Sequence, residues 1–490
     1  MSQNEAGKSL DANTLQESSI VKEENGFLYR DLNKNGRLDI YEDPRQPIEA
    51  RVEDLLSQMT LEEKAGMMFI DGVIVNQDGS IEDKPGAAGF GRVASVEMTE
   101  RHLNHFNTYQ IPGAVTLATW HNNLQKLSEQ TRLGIPVTIA SDPRNHFTKN
   151  IFAMAGGEFS QWCETLGFGA IGDAALVREF ADIVRQEYLA VGIRIALHPQ
   201  IDLATEPRWA RISGTFGEDA HLTAELGAAY IGGFQGEQLG PDSVACMTKH
   251  FPGGGPQKEG LDPHFEFQKG QVYPGNNFDY HLIPFEAALA ANTAAIMPYY
   301  GVPTDQTDEN VAMSYNKAII TGLLRQKYRY DGIVCTDWSL VSDVPMGNVV
   351  WPARAWGVEH LSAIDRVAKI IEAGVDQFGG ESLPELVVQL VKDGRVPESR
   401  LDQSVRRLLR QKFQLGQFDN PFVDVDGVSD LLGRADFEAA STATQRRAMT
   451  LLKNDDGVLP LEGRPKLFVK NLAPSVAADY GTVVETPEEA

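Results

Sequence analysis

Seven consecutive residues, Lys249-His250-Phe251-Pro252-Gly253-Gly254-Gly255, put a cation and an imidazole where an apolar run ends and a glycine-rich loop begins. The run before them, Ser243-Val244-Ala245-Cys246-Met247, reads as a short buried strand. Three other apolar runs also end in polar or aromatic residues. Ile135 to Ser141 ends at Asp142, Ala294 to Pro298 at Tyr299 and Tyr300, and Gly332 to Thr336 at Asp337 and Trp338. Each has a plain structural explanation when taken singly: Asp142 before Pro143 suits a helix cap, and a Lys-His pair suits a solvated loop. Together they suit a sugar. Carboxylates and amides grip hydroxyls, and an aromatic face stacks on the apolar face of a pyranose. Cleavage of a glycosidic bond needs a carboxylate at the anomeric carbon and a second acidic group at the leaving oxygen. Asp337 beside Trp338 is the best candidate for the first, and the positive charges of Lys249 and an arginine would favour its ionised form.

Those residues need a frame that gathers strand ends. Candidate strands are Met67–Asp71, Gly91–Ala94, Ile135–Asp142, Ile193–Pro199, Val244–Lys249, Ala294–Tyr300, Gly332–Asp337 and Ala373–Phe378, with helical periodicity between them, as in Ala175–Tyr188, His281–Ala291 and Asn316–Lys327. Strands alternating with helices predict a parallel α/β sheet, and eight units predict a closed (β/α)8 barrel whose ligands sit at the C-terminal rim of the strands. Asp376, at the end of the last run, is then expected to be a hydrogen-bonding rim residue. Residues 402–413 read as a further helix with Val405, Leu408, Leu409 and Phe413 on one face. The organisation expected is an N-terminal extension over 1–45, the barrel over 46–415, a linker over 416–440 and, from 441 to 490, the start of an α/β sandwich domain too short to be complete.

Composition narrows the partners. The chain has 490 residues and a formal charge of -24 spread along its length, which argues against nucleic acid and against an anionic membrane surface. No apolar stretch is long enough to span a bilayer. Cys163, Cys246 and Cys335 are far apart and lie mostly in apolar runs, as reduced core residues do. The first ten residues are polar with no apolar signal core, so the expected location is cytoplasmic, or outside the cell if a leader has been removed. Residues 1 to about 25 are expected to be mobile.

A series of ordered segments carries a family resemblance: Met59-Thr60-Leu61-Glu62-Glu63-Lys64, Arg132-Leu133-Gly134-Ile135-Pro136, Glu206-Pro207-Arg208-Trp209-Ala210-Arg211, Thr215-Phe216-Gly217-Glu218-Asp219, Lys249-His250-Phe251-Pro252-Gly253, Thr336-Asp337-Trp338 and Leu451-Leu452-Lys453-Asn454. From about residue 26 onward the chain resembles glycoside hydrolase family 3, in particular its β-glucosidase-like members. The resemblance implies a barrel followed by an α/β sandwich, and retaining hydrolysis of terminal β-linked sugars. The substrate implied is a β-glucoside or β-gluco-oligosaccharide, with no redox cofactor or catalytic metal. Asp337 matches the family's nucleophile and Trp338 the aromatic residue flanking it on the aglycone side. Asp142, Arg208, Lys249, His250 and Tyr300 match residues that hold the non-reducing sugar; Arg208 has a structural alternative, pairing a carboxylate beneath the site. For the acid/base, two-domain members use a Glu from the second domain, while single-domain members use an Asp-His pair in the loop after Lys-His-Phe. This chain has Asp262-Pro263-His264 there. His264 is a candidate proton donor, with a substrate-rim or structural role as the alternative.

A second motif is independent of the first. Asp31-Leu32-Asn33-Lys34-Asn35-Gly36-Arg37-Leu38-Asp39-Ile40-Tyr41-Glu42 fits the twelve-residue calcium loop, with side-chain oxygens at Asp31, Asn33, Asn35, Asp39 and Glu42, glycine at the sixth position and a backbone carbonyl from Arg37. The competing reading is an Asn-Gly turn with a helix cap. Calcium, if bound, would be a structural clamp. Gly167 to Gly172 fits G-x-G-x-x-G but follows no strand, which removes the case for a nucleotide site. Trp209, Trp351 and Trp356 are candidates for lining a sugar cleft or for core packing. The rival functions are the same fold acting on a β-xyloside or β-N-acetylhexosaminide, a phosphorylase, and a catalytically incomplete carbohydrate-binding protein.

Overall fold

The computed structural model describes residue 10 and residues 12–82, 91–147, 156–346 and 349–490. The polar stretch over residues 1–9 lies outside the described residues. The chain divides into two compact units, Met1–Ala448 and Met449–Ala490.

The first unit is built on eight parallel strands closed into a barrel. In chain order they are β1 (Phe69–Val73), β2 (His105–Thr108), β3 (Thr138–Ser141), β4 (Ile193–Ala196), β5 (Ala245–Phe251), β6 (Ala295–Pro298), β7 (Ile333–Trp338) and β8 (Gln377–Gly379). Each pairs with its sequence neighbour, and β8 closes on β1 with Phe378 opposite Phe69 in register. Those two rings stack with centroids 5.0 Å apart, so an apolar contact seals the seam. Helices follow the strands, among them α1 (Ala94–Arg101), α2 (Ala114–Gln130), α3 (Ala174–Ala190), α4 (Ala220–Gln235), α5 (Phe278–Ala290) and α6 (Ala363–Ala373). Their starts are written in the sequence. Asp173 accepts from the Leu176 amide, Asp219 from those of His221 and Leu222, and Ser362 from that of Asp365.

Two strands fall elsewhere than expected. Gly91–Ala94 is not a barrel strand: Ala94 opens α1, and Arg92 makes only an isolated bridge to Val73. The second strand is His105-Phe106-Asn107-Thr108, all four residues buried. Its polar residues hide it from a search for apolar runs. The last strand begins at Gln377 because α6 runs on to Ala373 and stops at Gly374, whose φ of 108° a side chain would strain. Asp376 consequently sits before β8, at the end of the barrel away from the rim. There its carboxylate is buried among Arg325, Arg407 and Ser404. It is a structural anchor, not the rim residue expected.

The N-terminal segment belongs to the same unit. Ala12–Glu17 is helical and Val21–Glu24 pairs with Phe27–Arg30 as a hairpin. Arg30 is fully buried against Glu129 at 2.9 Å, and Ser18 donates to the same carboxylate at 2.5 Å. Residues 12–30 thus carry defined secondary structure tied to the barrel at Ser18 and Arg30, in part of the stretch to about residue 25 that was expected to be mobile. The segment 416–440 is also structured: Val428–Leu431 and Ala435–Arg447 are helical and lie within the first unit. The second unit pairs Lys466–Phe468 with Thr482–Val484 in parallel around the short helix Pro474–Ala478. Among the described residues no helix is long and apolar enough to cross a membrane. All three cysteines are buried and unbridged.

Candidate active site

The glycine-rich loop is shaped by what presses on it. A Cβ at Gly255 would stand 1.6 Å from the Leu203 carbonyl oxygen, so no larger residue fits. Gly253 holds a φ of +119°, a region that favours glycine. This tight return lets the Gly254 amide reach the carboxylate of Asp202, which also accepts from the His250 amide at 3.2 Å. The segment following β4 is tied to β5 as well, with the Lys249 amide donating to the Pro199 carbonyl and the Ile201 amide to that of Lys249. Lys249 and His250 thereby become fixed points of the rim.

His250 is fully buried and its protonation pattern is set by its partners. Asp202 faces Nδ1 at 2.7 Å, and Arg211 donates to Nε2 at 3.1 Å. A guanidinium has no lone pair, so Nε2 must accept and the proton must sit on Nδ1, donated to Asp202. Burial, and then the neighbouring Arg211, hold the imidazole far below its ordinary pKa, so it stays neutral. Burial raises Asp202 to about 6, opposed by the Gly254 amide and Arg211. On Arg211 burial works against the charge, but Tyr299, Asp262 and Asp337 outweigh it and strengthen the cation.

Asp337, on β7, is where these charges converge. Its Oδ1 accepts the Trp338 amide at 2.8 Å. Its Oδ2 is buried without a hydrogen-bond partner and lies 3.8 Å from His250 Nε2. Tyr300 accepts the Trp338 amide at 3.0 Å and adjoins the Asp337 carboxylate. Burial, then the negative charge of Asp337, push the Tyr300 phenol well above its ordinary pKa, so it remains a hydrogen-bond donor. The Trp338 indole rests on backbone: a Cβ at Gly379 or Gly380 would collide with its ring. Across the rim Lys249 Nζ donates to Asp142 at 3.1 Å. A buried carboxylate oxygen without a hydrogen-bond partner, in a rim of donors and aromatics, is placed where it could act as a nucleophile.

The loop after β5 adds a dyad. His264 Nδ1 is 2.5 Å from Asp262 Oδ1, and the His264 amide donates to the same oxygen at 2.9 Å. The other oxygen of Asp262 accepts from Trp209 Nε1 at 2.7 Å and from the Tyr299 hydroxyl at 2.8 Å. Burial pushes Asp262 up, but His264 and Arg211 outweigh it and hold the carboxyl well below its ordinary range. The His264 ring meets Tyr300 edge to face with centroids 4.5 Å apart. It therefore borders the pocket that holds Asp337.

Of the residues singled out in the sequence, Asp142, Lys249, His250, His264, Tyr300, Asp337 and Trp338 come together at this rim. Arg208 does not join them. Its side chain is 67% exposed and pairs with Glu206, two residues away, at 2.8 Å. Arg211 occupies the place beside His250, three residues further along the segment that carried the resemblance. Asp202 and Arg211 were not assigned roles from sequence, and Asp262, Tyr299 and Trp209, named there, join them around His250 and His264. Trp209 and Trp356 are buried, the latter donating to the Pro263 carbonyl, while Trp351 is half-buried.

The Asp31–Glu42 loop has the turns of the motif. Asp31 Oδ2 accepts the Gly36 amide, Asn33 Oδ1 that of Asn35, and Asn35 Oδ1 that of Arg37. Both asparagine amides donate to Asp39 Oδ2, and Glu42 accepts the Asn33 and Asp39 amides. Asp31 Oδ1 is buried without a partner. Among the described residues no three His, Cys, Asp or Glu side chains are drawn together as a ready metal cage.

Comparison with known proteins fits this geometry. Residues 94–411 match the Glycosyl hydrolase family 3 N terminal domain. The chain is 50% identical over 468 residues to a β-glucosidase C of Emericella nidulans, covering 94% of this chain and 74% of that protein. It is 42% identical over 491 residues to a periplasmic β-glucosidase/β-xylosidase of Dickeya chrysanthemi, covering 95% and 74%. Among solved structures a β-glucosidase of Erythrobacter marinus superimposes with a TM-score of 0.72 at 22% identity, over 88% of this chain and 54% of that one, a likeness of fold. The chain thus spans about half the length of that solved enzyme. It belongs to glycosyl hydrolase family 3, in its β-glucosidase-like branch, and is an O-glycosyl hydrolase.

Proposed function

We propose that the chain is a retaining, exo-acting β-glucosidase that removes terminal β-D-glucosyl residues through a covalent glycosyl-enzyme on Asp337. The observation that carries this reading is the buried, unpartnered Oδ2 of Asp337 among Arg211, His250 and Tyr300. In the first step Oδ2 bonds to the anomeric carbon as the bond to the leaving oxygen breaks. Asp142 and Lys249 would take sugar hydroxyls as acceptor and donor, and Arg211 would orient the nucleophile.

The leaving oxygen needs a proton, and His264 is our candidate. Its Nδ1 is committed to Asp262, so transfer runs through Nε2, with the ionised Asp262 stabilising the imidazolium. In the second step water attacks the anomeric carbon, gives its proton to His264 and frees Asp337. Names of relatives support a glucoside before a xyloside, since the β-glucosidase C proteins are the more similar.

The test is intact mass after incubation with an activated 2-deoxy-2-fluoro-β-D-glucoside, whose good leaving group makes the acid dispensable. A stable adduct on the peptide containing Asp337 is expected. A folded protein that turns over aryl β-glucosides but labels elsewhere would overturn the nucleophile assignment.

For the Asp31–Glu42 loop we propose a structural calcium ion. The support is the ligand pattern and the orphaned Asp31 Oδ1. Binding would require the amides of Asn33 and Asn35 to turn their oxygens inward, away from their present bonds to Asp39.

A further inference from the structure

Beyond the residues that hold the sugar and the reacting atoms, the rim carries an aromatic surface. Phe265 and Phe267 lie parallel, 6° apart with centroids at 5.4 Å, and Trp351 meets Phe265 edge-on at 5.6 Å. Phe267 is 64% exposed, and Val349 and Val350 beside Trp351 are exposed as well. Large apolar side chains grouped in water on a monomer mark a contact surface more often than chance.

Its position says what it contacts. Phe265 follows His264 directly. The Arg354 guanidinium lies 5.3 Å from the Trp351 ring centre and 5.7 Å from that of Tyr300, so one cation joins the surface to the wall of the Asp337 pocket. Arg354 also donates to the His264 carbonyl at 3.4 Å. The surface therefore begins on the side of the pocket where the proton donor stands, which is the side of the leaving group. Its chemistry is one-sided: rings and β-branched side chains offer stacking area and few groups that grip hydroxyls.

We propose that Phe265, Phe267 and Trp351 form a landing surface for a planar, apolar leaving group, so that the enzyme prefers aryl β-glucosides to those whose aglycone is a small alkyl group or a second sugar. This rests on the β-glucosidase reading above. The rings act by binding, and their contribution belongs to substrate affinity rather than to the chemical step.

Calorimetric titration with non-hydrolysable thioglycosides tests this without needing turnover. The ligands are 4-nitrophenyl 1-thio-β-D-glucoside, methyl 1-thio-β-D-glucoside and thiocellobiose. The wild-type protein is expected to bind the aryl compound about tenfold more tightly than the other two. In Phe267→Ala, an exposed position that leaves the fold intact, the preference should shrink several-fold with methyl thioglucoside unaffected. Trp351→Ala should do the same. Equal affinity for the aryl and methyl compounds, thiocellobiose matching the aryl compound, or variants that keep the full preference would each overturn the landing surface while leaving the β-glucosidase reading standing. No binding of any of the three by folded wild-type protein would overturn both.

Discussion

Arg211 donates from Nη1 to Nε2 of His250 across 3.1 Å, and that single contact sets the proton inventory of the pocket. With Nε2 forced to accept, the only imidazole proton points to Asp202, and His250 is left as a neutral strut that aims the Arg211 charge toward Asp337.

Removing the far end of that chain should be felt at the nucleophile. In Asp202→Asn the amide can offer His250 Nδ1 either its NH2 or its oxygen, and the tautomer is no longer imposed. The expected loss in kcat/KM is about 100-fold, carried mostly by kcat, with KM for the glucoside changed by less than about threefold. Nitrogen-15 NMR of the imidazole should show the Nδ1–H tautomer in the wild type. A wild type with the proton on Nε2 would sink this account.

The two arginines of Glu206–Arg211 give a sharp contrast. Arg208 is exposed and paired only with its neighbour Glu206, so Arg208→Ala should leave kcat/KM within about threefold of wild type. Arg211→Ala strips the buried cation next to Asp337 and should cost about 1000-fold, on the scale of losing one electrostatic contact to a reacting group. Steady-state kinetics on one aryl glucoside measures both, and the reverse order would restore Arg208 to the site.

That contrast also shows how far sequence reaches. Strand ends such as Asp337 and Tyr300 were legible because a polar residue closing an apolar run marks a barrel rim. Arg208 and Arg211 lie three apart in one irregular loop, and no periodicity says which of them turns inward. Asp202 lies three residues beyond the expected strand Ile193–Pro199, in irregular chain, and only the return of the Gly253–Gly255 loop brings a backbone amide onto it. Strand β2 was lost because three of its four residues are buried yet polar, a pattern that apolar-run reading rejects. In the sequence a proline separates Asp262 from His264, and nothing there says that the two side chains meet. In three dimensions Nδ1 and the carboxylate meet, and two further donors fix the carboxylate from behind.

If His264 is the acid, its loss should depend on the leaving group. His264→Ala should cost about 1000-fold on a poorly activated alkyl glucoside but less than about tenfold in glycosylation with a 2,4-dinitrophenyl glucoside, and added azide should accelerate the second step. Uniform loss across leaving groups, with no azide effect, would assign His264 to binding instead.

The calcium proposal predicts a thermal shift. Ligands bound only by the native state stabilise it by mass action, so 1 mM calcium should raise Tm by several degrees over protein in chelator. Asp31→Ala should lose that response, since Asp31 Oδ1 is the loop's one orphaned buried oxygen. An identical Tm with calcium and with chelator would return the loop to a turn held by its own hydrogen bonds.

Glu381 is expected to give stability a pH dependence whose sign follows from its burial. Just beyond β8, it accepts the Val341 and Ser342 amides, so it anchors the segment that follows Asp337. Burial raises its pKa from 4.5 to about 7, against the lowering effect of those hydrogen bonds and of Ser342. A carboxyl that holds its proton more tightly when folded contributes stability that is complete below about 4.5 and is lost as pH rises through about 7. The amount at stake is up to about 3 kcal/mol, from the free-energy equivalent of a pKa shift. Other buried acids titrate in the same window, so the comparison that isolates this one is wild type against Glu381→Gln in urea unfolding at pH 4.5 and pH 8. The amide cannot ionise, and the variant should gain on the wild type as pH rises. A stability difference between the two that stays flat over that range would mean Glu381 is ionised throughout, with its two backbone donors sufficient to hold the charge.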